Sequence, residues 1–351
     1  MILSRRHAKI GTNKRMNWFA YRLPGKNRIE TGCSDSLKEG LGTPGFAIAP
    51  FDGNADGIFT IPYDSQDGLF TIPSDCEKDT LYPFPETETD KNLHNSAVRQ
   101  IKKQINDGVL DKCVLARVIV RKEQIALHST FQELCMAYPE AFVFCFHTTP
   151  SGTWIGASPE ILLEKSGNRL TTMALAGTRP TYSSEEWDDK NIGEQKIVTS
   201  FLSAKMKEAG LEPIIGKTRT HNAGPVEHLR TIISAEVDTT DEKAGLLQAI
   251  KTARALSPTP ALAGYPRKRA MQFIGDIEDF ERGYYGGFCG PVAENGDFFF
   301  GVNLRSARVE RNRFCIYAGG GIMKESDPDS EWTETERKAS TCLDKFHYIT
   351  I

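Results

Sequence analysis

None of the eight cysteines forms a CxxC pair. Several lie inside apolar runs (VFCF, GFCG, FCIY). That pattern points to buried, reduced thiols in a cytosolic protein and away from disulfides or a zinc site. No apolar run approaches the roughly 20 residues that span a bilayer. The first residues lack the apolar core and cleavage site of a secretion signal. Positive charge is not in excess. A net charge of −3 over 351 residues gives no overall field for nucleic acid, and the basic cluster Arg5, Arg6, Lys9, Lys14 and Arg15 reads as a solvated terminus. No tandem repeat organises the chain, since IFTIP at 58–62 and LFTIP at 69–73 are only two short copies. The remaining expectation is a soluble, membrane-free chain with a sizeable core, as one large domain or two ordinary ones.

What is present alternates strands with amphipathic helices. Up to residue 90, short strand-like pieces (NWFAYR, GFAIAPF, GIFTIP) are separated by Gly, Pro and Asp turns. Leu93, Ala97, Ile101 and Ile105 then recur at helical spacing, with Gly108 as a stop. VLDKCVLARVIVRK reads as a strand, TFQELCMAYPE as a short helix and AFVFCFHT as a buried strand. TWIGASPEILLEK continues the sheet, with Pro159 forcing a kink beside Glu160. A hairpin turns at 166–168. SSEEW opens a helix over 184–209 like a capping box. VEHLRTIISAEV is a strand or bent segment, KAGLLQAIKTARAL a helix and SPTPALAG a loop. DFFFGVNLRSARVE and RFCIYAGG form a hairpin about Arg311-Asn312.

Within that frame a few residues carry chemistry. Lys112 begins the face shared by Val114, Ala116, Val118 and Val120. It either snorkels out or sits in a dry cleft, where desolvation favours the neutral amine. By strand alternation Arg305 shares a small, polar face with Gly301, Asn303 and Ala307. His228, beside Leu229, reads by itself as a structural histidine. After Gly319–Gly321, Ser326 or Asp327 caps a helix with Pro328 in its first turn. On that helix Glu331, Glu334 and Lys338 fall on roughly one face. A glycine loop beside carboxylates suits a metal and a small anion. The same spacing also describes a solvated surface pair.

Several motifs coincide in order: KCVLAR at 112–117, ASPE at 157–160, AGTRP at 176–180, PTPA at 258–261 and ERGYYGG at 281–287. LRSA at 304–307, YAGGGI at 317–322 and SDP-x-x-EWTE at 326–334 follow. Over about residues 92–345 this set resembles the chorismate-utilising enzymes, and among them the isochorismate synthases. The resemblance implies an α+β (α/β) body of two packed, mainly antiparallel sheets with helices outside. Residues 1–90 would be a strand-rich portion of the same body and 91–351 the catalytic region. It implies Mg2+ as cofactor and chorismate as the small-molecule substrate. Position by position, Lys112 is similar to the family's general base and Glu160 to its general acid. Glu194 and Glu334 match its magnesium carboxylates, and Arg305 and Lys338 its substrate-carboxylate partners. Gly177 and Gly320 match loops lining the substrate, and His228 a cleft histidine. Tyr317 stands near the anion site on the hairpin.

The expected reaction adds water at C2 of chorismate while the C4 hydroxyl leaves, for menaquinone or siderophore synthesis. The ammonia-using anthranilate and aminodeoxychorismate synthases lack the lysine at the position of Lys112. The resemblance therefore implies no obligatory amidotransferase subunit, in a monomer or homodimer. Salicylate synthase, which goes on to eliminate pyruvate, is the first alternative, and an ammonia-using anthranilate or aminodeoxychorismate synthase component is the second. Gln195 and Ser257 stand where relatives often carry histidine.

Overall fold

The computed structural model describes residues 17–63, 71–73, 83–223, 226–238 and 240–349. LFTIP at 69–73 lies partly outside them. Two sheets, antiparallel throughout, make up the body. The first runs in the order Gly264–Tyr265, Lys112–Arg121, Arg313–Ile322, Ser306–Glu310, Gly152–Ser158, Phe142–Thr148, Asn17–Arg22, Glu30–Ser34. The second runs Ile214–Ile215, Val226–Glu236, Arg169–Pro180, Ile161–Ser166, Phe298–Val302, Phe288–Val292, Gly45–Ala49, Phe59–Pro62, Lys38–Glu39. Strands preceding residue 90 thus enter both sheets.

The sheets meet through aromatic side chains, whose large apolar area favours burial between two pleated faces. Phe19 of the first sheet stacks on Phe46 of the second at 5.0 Å, and Phe142 meets Phe299 at 5.1 Å. Cys289 and Cys315 are buried thiols in this packing, and Cys113 and Cys342 are buried elsewhere in the core. Helices cover the outer faces. Asp189–Glu208 lies on the strands Arg169–Pro180 and Val226–Glu236, and Pro328–Leu343 lies on Arg313–Ile322. Among the described residues no helix is long and apolar enough to cross a membrane.

Three local expectations are corrected. DFFFGVNLRSARVE is two strands in different sheets, because the chain passes from the second sheet to the first between Val302 and Ser306. Arg305 adopts φ +48° in that passage, a conformation costly for a side chain with a Cβ. TWIGASPEILLEK likewise changes sheet at Pro159-Glu160. The third helix starts at Asp189, not Ser184. Its cap is Asp188, whose carboxylate accepts from the Asn191 N–H at 2.8 Å.

The two passages lie side by side. Ala157 N–H donates to Arg305 O (3.1 Å) and Val302 N–H donates to Glu160 O (3.0 Å). A fully buried ion pair braces the same region. Arg282 contacts Glu278 at 2.5 Å and donates to the carbonyls of Leu262 and Val114, each at 2.8 Å. Glu278 also accepts from Ala116 N–H at 2.8 Å. Arg282→Met strands the Glu278 carboxylate in the interior. We expect a loss of about 3–5 kcal/mol, read as a lower urea midpoint at unchanged slope.

Candidate active site

The two passages deliver Glu160 and Arg305 to one small cavity, about 60 Å³, between the sheets. Glu194, Gly177, His228, Tyr317, Gly319, Gly321 and Lys338 also line it. Lys112, Glu334 and Gly320 lie directly behind this wall. Glu194 Oε1 is 2.7 Å from Lys112 Nζ, and Lys338 Nζ is 2.5 Å from Glu334 Oε1. A neighbouring cavity of about 310 Å³, bordered by Tyr138, His221 and Thr341, shares Pro159 and Arg305 with it.

Glu160 is 2% exposed, and its Oε1 has no hydrogen-bond partner. Burial pushes its carboxyl up to about 8, against the pull of the Lys112 and Lys338 ammonium groups. The acid is therefore largely protonated at neutral pH and can give a proton. Lys112 is fully buried, and its contact with Glu194 lacks the direction of a good hydrogen bond. Burial pushes the Glu194 carboxyl up, but the adjacent Lys112 ammonium outweighs it and holds the group below the ordinary glutamate value. Its other oxygen accepts from the Gly177 N–H at 3.1 Å. Gly177 sits at φ +73°, where strand register slips between Ala176 and Arg179.

His228 links the two walls. Its Nδ1 is 2.7 Å from the Gly177 carbonyl, so Nδ1 carries the proton and donates. That leaves Nε2 to accept from Arg305 Nη2 at 3.1 Å. Burial first, then Arg305 and Lys338, lower His228 to about 3, which keeps the ring neutral. Arg305 Nη1 donates to Thr341 Oγ1 at 2.9 Å. Tyr317 is stacked on Tyr285 at 5.1 Å and on Trp154 at 5.6 Å, and it presents its ring to the cavity.

The glycine run is a strand and not a loop. Gly319, Gly320 and Gly321 pair with Ala116, Leu115 and Val114. Successive residues therefore face opposite sides. Gly319 and Gly321 border the cavity, while Gly320 faces the last helix. A Cβ on Gly320 would lie 3.0 Å from Glu331 Oε2, and one on Gly321 would lie 2.3 Å from Glu194 Oε1. Glycine is required here so that carboxylates can approach the backbone. Asp327 caps that helix, accepting from Ser330 N–H at 2.9 Å, and this orients Glu331 and Glu334 toward the run.

Three carboxylates thus gather beside the cavity, each with a lysine: Glu194 with Lys112, Glu334 with Lys338, and Glu331 with Lys190 at 2.6 Å. Lys190 is a residue that sequence reasoning missed. Its i,i+4 spacing to Glu194 on one helix was the available signal. Gln195 points away from the cavity, donating to Ala174 O at 3.0 Å and Thr231 Oγ1 at 2.9 Å.

A family model described as chorismate binding enzyme matches residues 71–346. Isochorismate synthase DhbC of Bacillus subtilis is 30% identical over 287 residues, covering 75% of this chain and 69% of that protein. Isochorismate synthase EntC of Escherichia coli is 30% identical over 250 residues, covering 68% of this chain and 62% of that protein. The chain therefore spans roughly two thirds of the length of these relatives. The structure of MenF, the menaquinone-specific isochorismate synthase from Escherichia coli, superposes with a TM-score of 0.76 at 22% identity. That match covers 95% of this chain and 89% of MenF, and it shows the shared two-sheet fold.

The raised Glu160 carboxyl makes a prediction about stability. Between its unfolded value, near 4.3, and about 8 the folded protein binds a proton that the unfolded chain has released. Stability associated with Glu160 is then fully present below that window and is lost as pH rises through it. Thermal midpoints of Glu160→Gln should fall less between pH 5 and 9 than those of the unaltered protein. Parallel curves would contradict the assignment.

Proposed function

The chain belongs to the chorismate-binding enzyme family, and from that membership we propose that it is an isochorismate synthase, converting chorismate to isochorismate for menaquinone or siderophore supply. The observation that carries this reading is Lys112, a fully buried side chain directly behind one wall of a cavity whose other wall holds Glu160, its carboxyl pushed up to about 8.

Lys112 must first part from Glu194 and release its ammonium proton; as the neutral amine it then takes a proton from the water that attacks C2, and Glu160 gives its proton to the departing C4 hydroxyl. Ring carbons are unchanged in number, one hydroxyl enters and one water leaves. Arg305 and Lys338 hold substrate carboxylates, with Arg305 oriented by His228 and Thr341. Gly177, Gly319 and Gly321 keep the walls thin enough for close approach, and the Tyr317 ring closes the apolar side. At about 60 Å³ the cavity holds a water or two. Admitting a ring with two carboxylates requires Lys338 and its neighbours to exchange partners.

The carboxylates also fit magnesium. Among the described residues no three metal-ligating side chains form a ready-made cage. Mg2+ is commonly held by one or two carboxylates, substrate and waters instead. Glu194 and Glu334 would hold it, and Glu331 Oε2, buried without a partner, faces the glycine run beside them. When bound, the ion supplies positive charge that orients the substrate carboxylate.

The direct test is purified protein with chorismate and Mg2+, its products resolved by chromatography and mass. An isomer of unchanged mass is expected. Salicylate with pyruvate, or an aminated product in ammonia, would contradict the reading. Lys112→Ala strands the Glu194 carboxylate and should lower the thermal midpoint. In protein that is still folded at the assay temperature it should lower kcat by about 10²–10⁴, and a rate near that of the unaltered protein would remove Lys112 as base. Glu334→Ala should raise the Mg2+ concentration for half-maximal rate, and an unchanged requirement would remove it as a ligand.

A further inference from the structure

Of the three lysines that neutralise the carboxylate cluster, Lys112 and Lys338 have proposed chemical tasks and Lys190 has none. Its position is not explained by helix stability. Lys190 is the second residue of a helix capped by Asp188, at the positive end of the backbone dipole, where a cation is unfavourable. The side chain nevertheless runs inward to Glu331, which is 1% exposed. Burial alone pulls Lys190 down, but the Glu331, Glu334 and Glu194 carboxylates outweigh it and keep the ammonium charged. The other oxygen of Glu331 has no hydrogen-bond partner and lies 3.0 Å from where a Gly320 Cβ would stand. One end of this carboxylate is thus held by Lys190 while the other is offered to the space beside Glu334.

We propose that Lys190 is a positioning residue of the cation site: it fixes Glu331 with one oxygen directed toward the glycine run, and its charge sets how weakly the cluster holds a divalent ion. A unit positive charge beside three carboxylates lowers their attraction for Mg2+. The ion is then retained firmly only when a substrate carboxylate adds negative charge.

This rests on the magnesium reading above, and calorimetric titration of Mg2+ into the substrate-free protein separates the two. Lys190→Met should bind Mg2+ about tenfold more tightly, the effect of removing one unit charge near a divalent ion under close to aqueous screening. Glu331→Gln should bind it more weakly. The double variant should return toward the unaltered affinity, with the two changes coupled as contacting residues are. Lys190→Gln, which keeps a donor for Glu331 and loses only the charge, serves the same purpose should the methionine variant fail to fold. If the unaltered protein binds Mg2+ and the folded Lys190 variants bind it equally or more weakly, Lys190 is only a structural ion-pair partner and the inference is overturned. If the unaltered protein binds no Mg2+, the metal reading falls and the inference falls with it.

Discussion

A carboxylate taken out of water must be met by positive charge or take up a proton, and both outcomes occur within one cavity here. Glu194, Glu331 and Glu334 each meet a lysine. Glu160, with no partner for its Oε1, is pushed toward the protonated form. The same desolvation therefore favours a protonated Glu160 at one wall, while at the other Lys112 and Lys338 overcome it and hold Glu194 and Glu334 below the ordinary glutamate value, and burial and Glu334 still push Glu331 up. The pairs are poor contributors to stability, since burying both partners costs most of what their attraction returns. They make sense as contacts that exchange when a cation and a dicarboxylate arrive together.

The fold supplies the dry volume. Strands from both sheets interdigitate aromatic rings, and two of the chain's crossings between the sheets lie at adjacent points. Those crossings, hydrogen-bonded to each other, place Glu160 and Arg305 where neither sheet has a regular ladder. Arg305 pays for its place with a left-handed backbone, which Thr341 and His228 hold through its guanidinium. The opposite side comes from the glycine strand and the helix after it.

Much of this was legible from residue order. The periodicity around Lys112 and the hairpin at 310–313 reappear as strands, with Glu310 opposite Arg313. Asp327 and Pro328 marked the last helix, and with it Glu334 and Lys338. What was not legible has physical causes. Apolar alternation runs on from Phe298 to Ala307 although the backbone leaves its sheet, because both sheets bury the same kinds of side chain. A positive φ at Arg305 leaves no trace in a residue that is not glycine. The glycine run reads as a loop by propensity, yet it is a strand whose missing side chains make room for Glu194 and Glu331. Ser184 and Asp188 are both acceptable caps, and only the fold chooses between them. Lys190 resembles any surface lysine until Glu331 arrives from far along the chain.

In the proposed reaction Lys112 activates water while Glu160 releases a different oxygen from the ring. Turnover in water enriched in oxygen-18, followed by mass analysis of the product before any exchange, tests it most directly. The new hydroxyl at C2 is expected to carry the heavy isotope in step with solvent enrichment. A product with the light oxygen throughout would mean that the hydroxyl migrates within the substrate, and the water-activating role of Lys112 would be wrong.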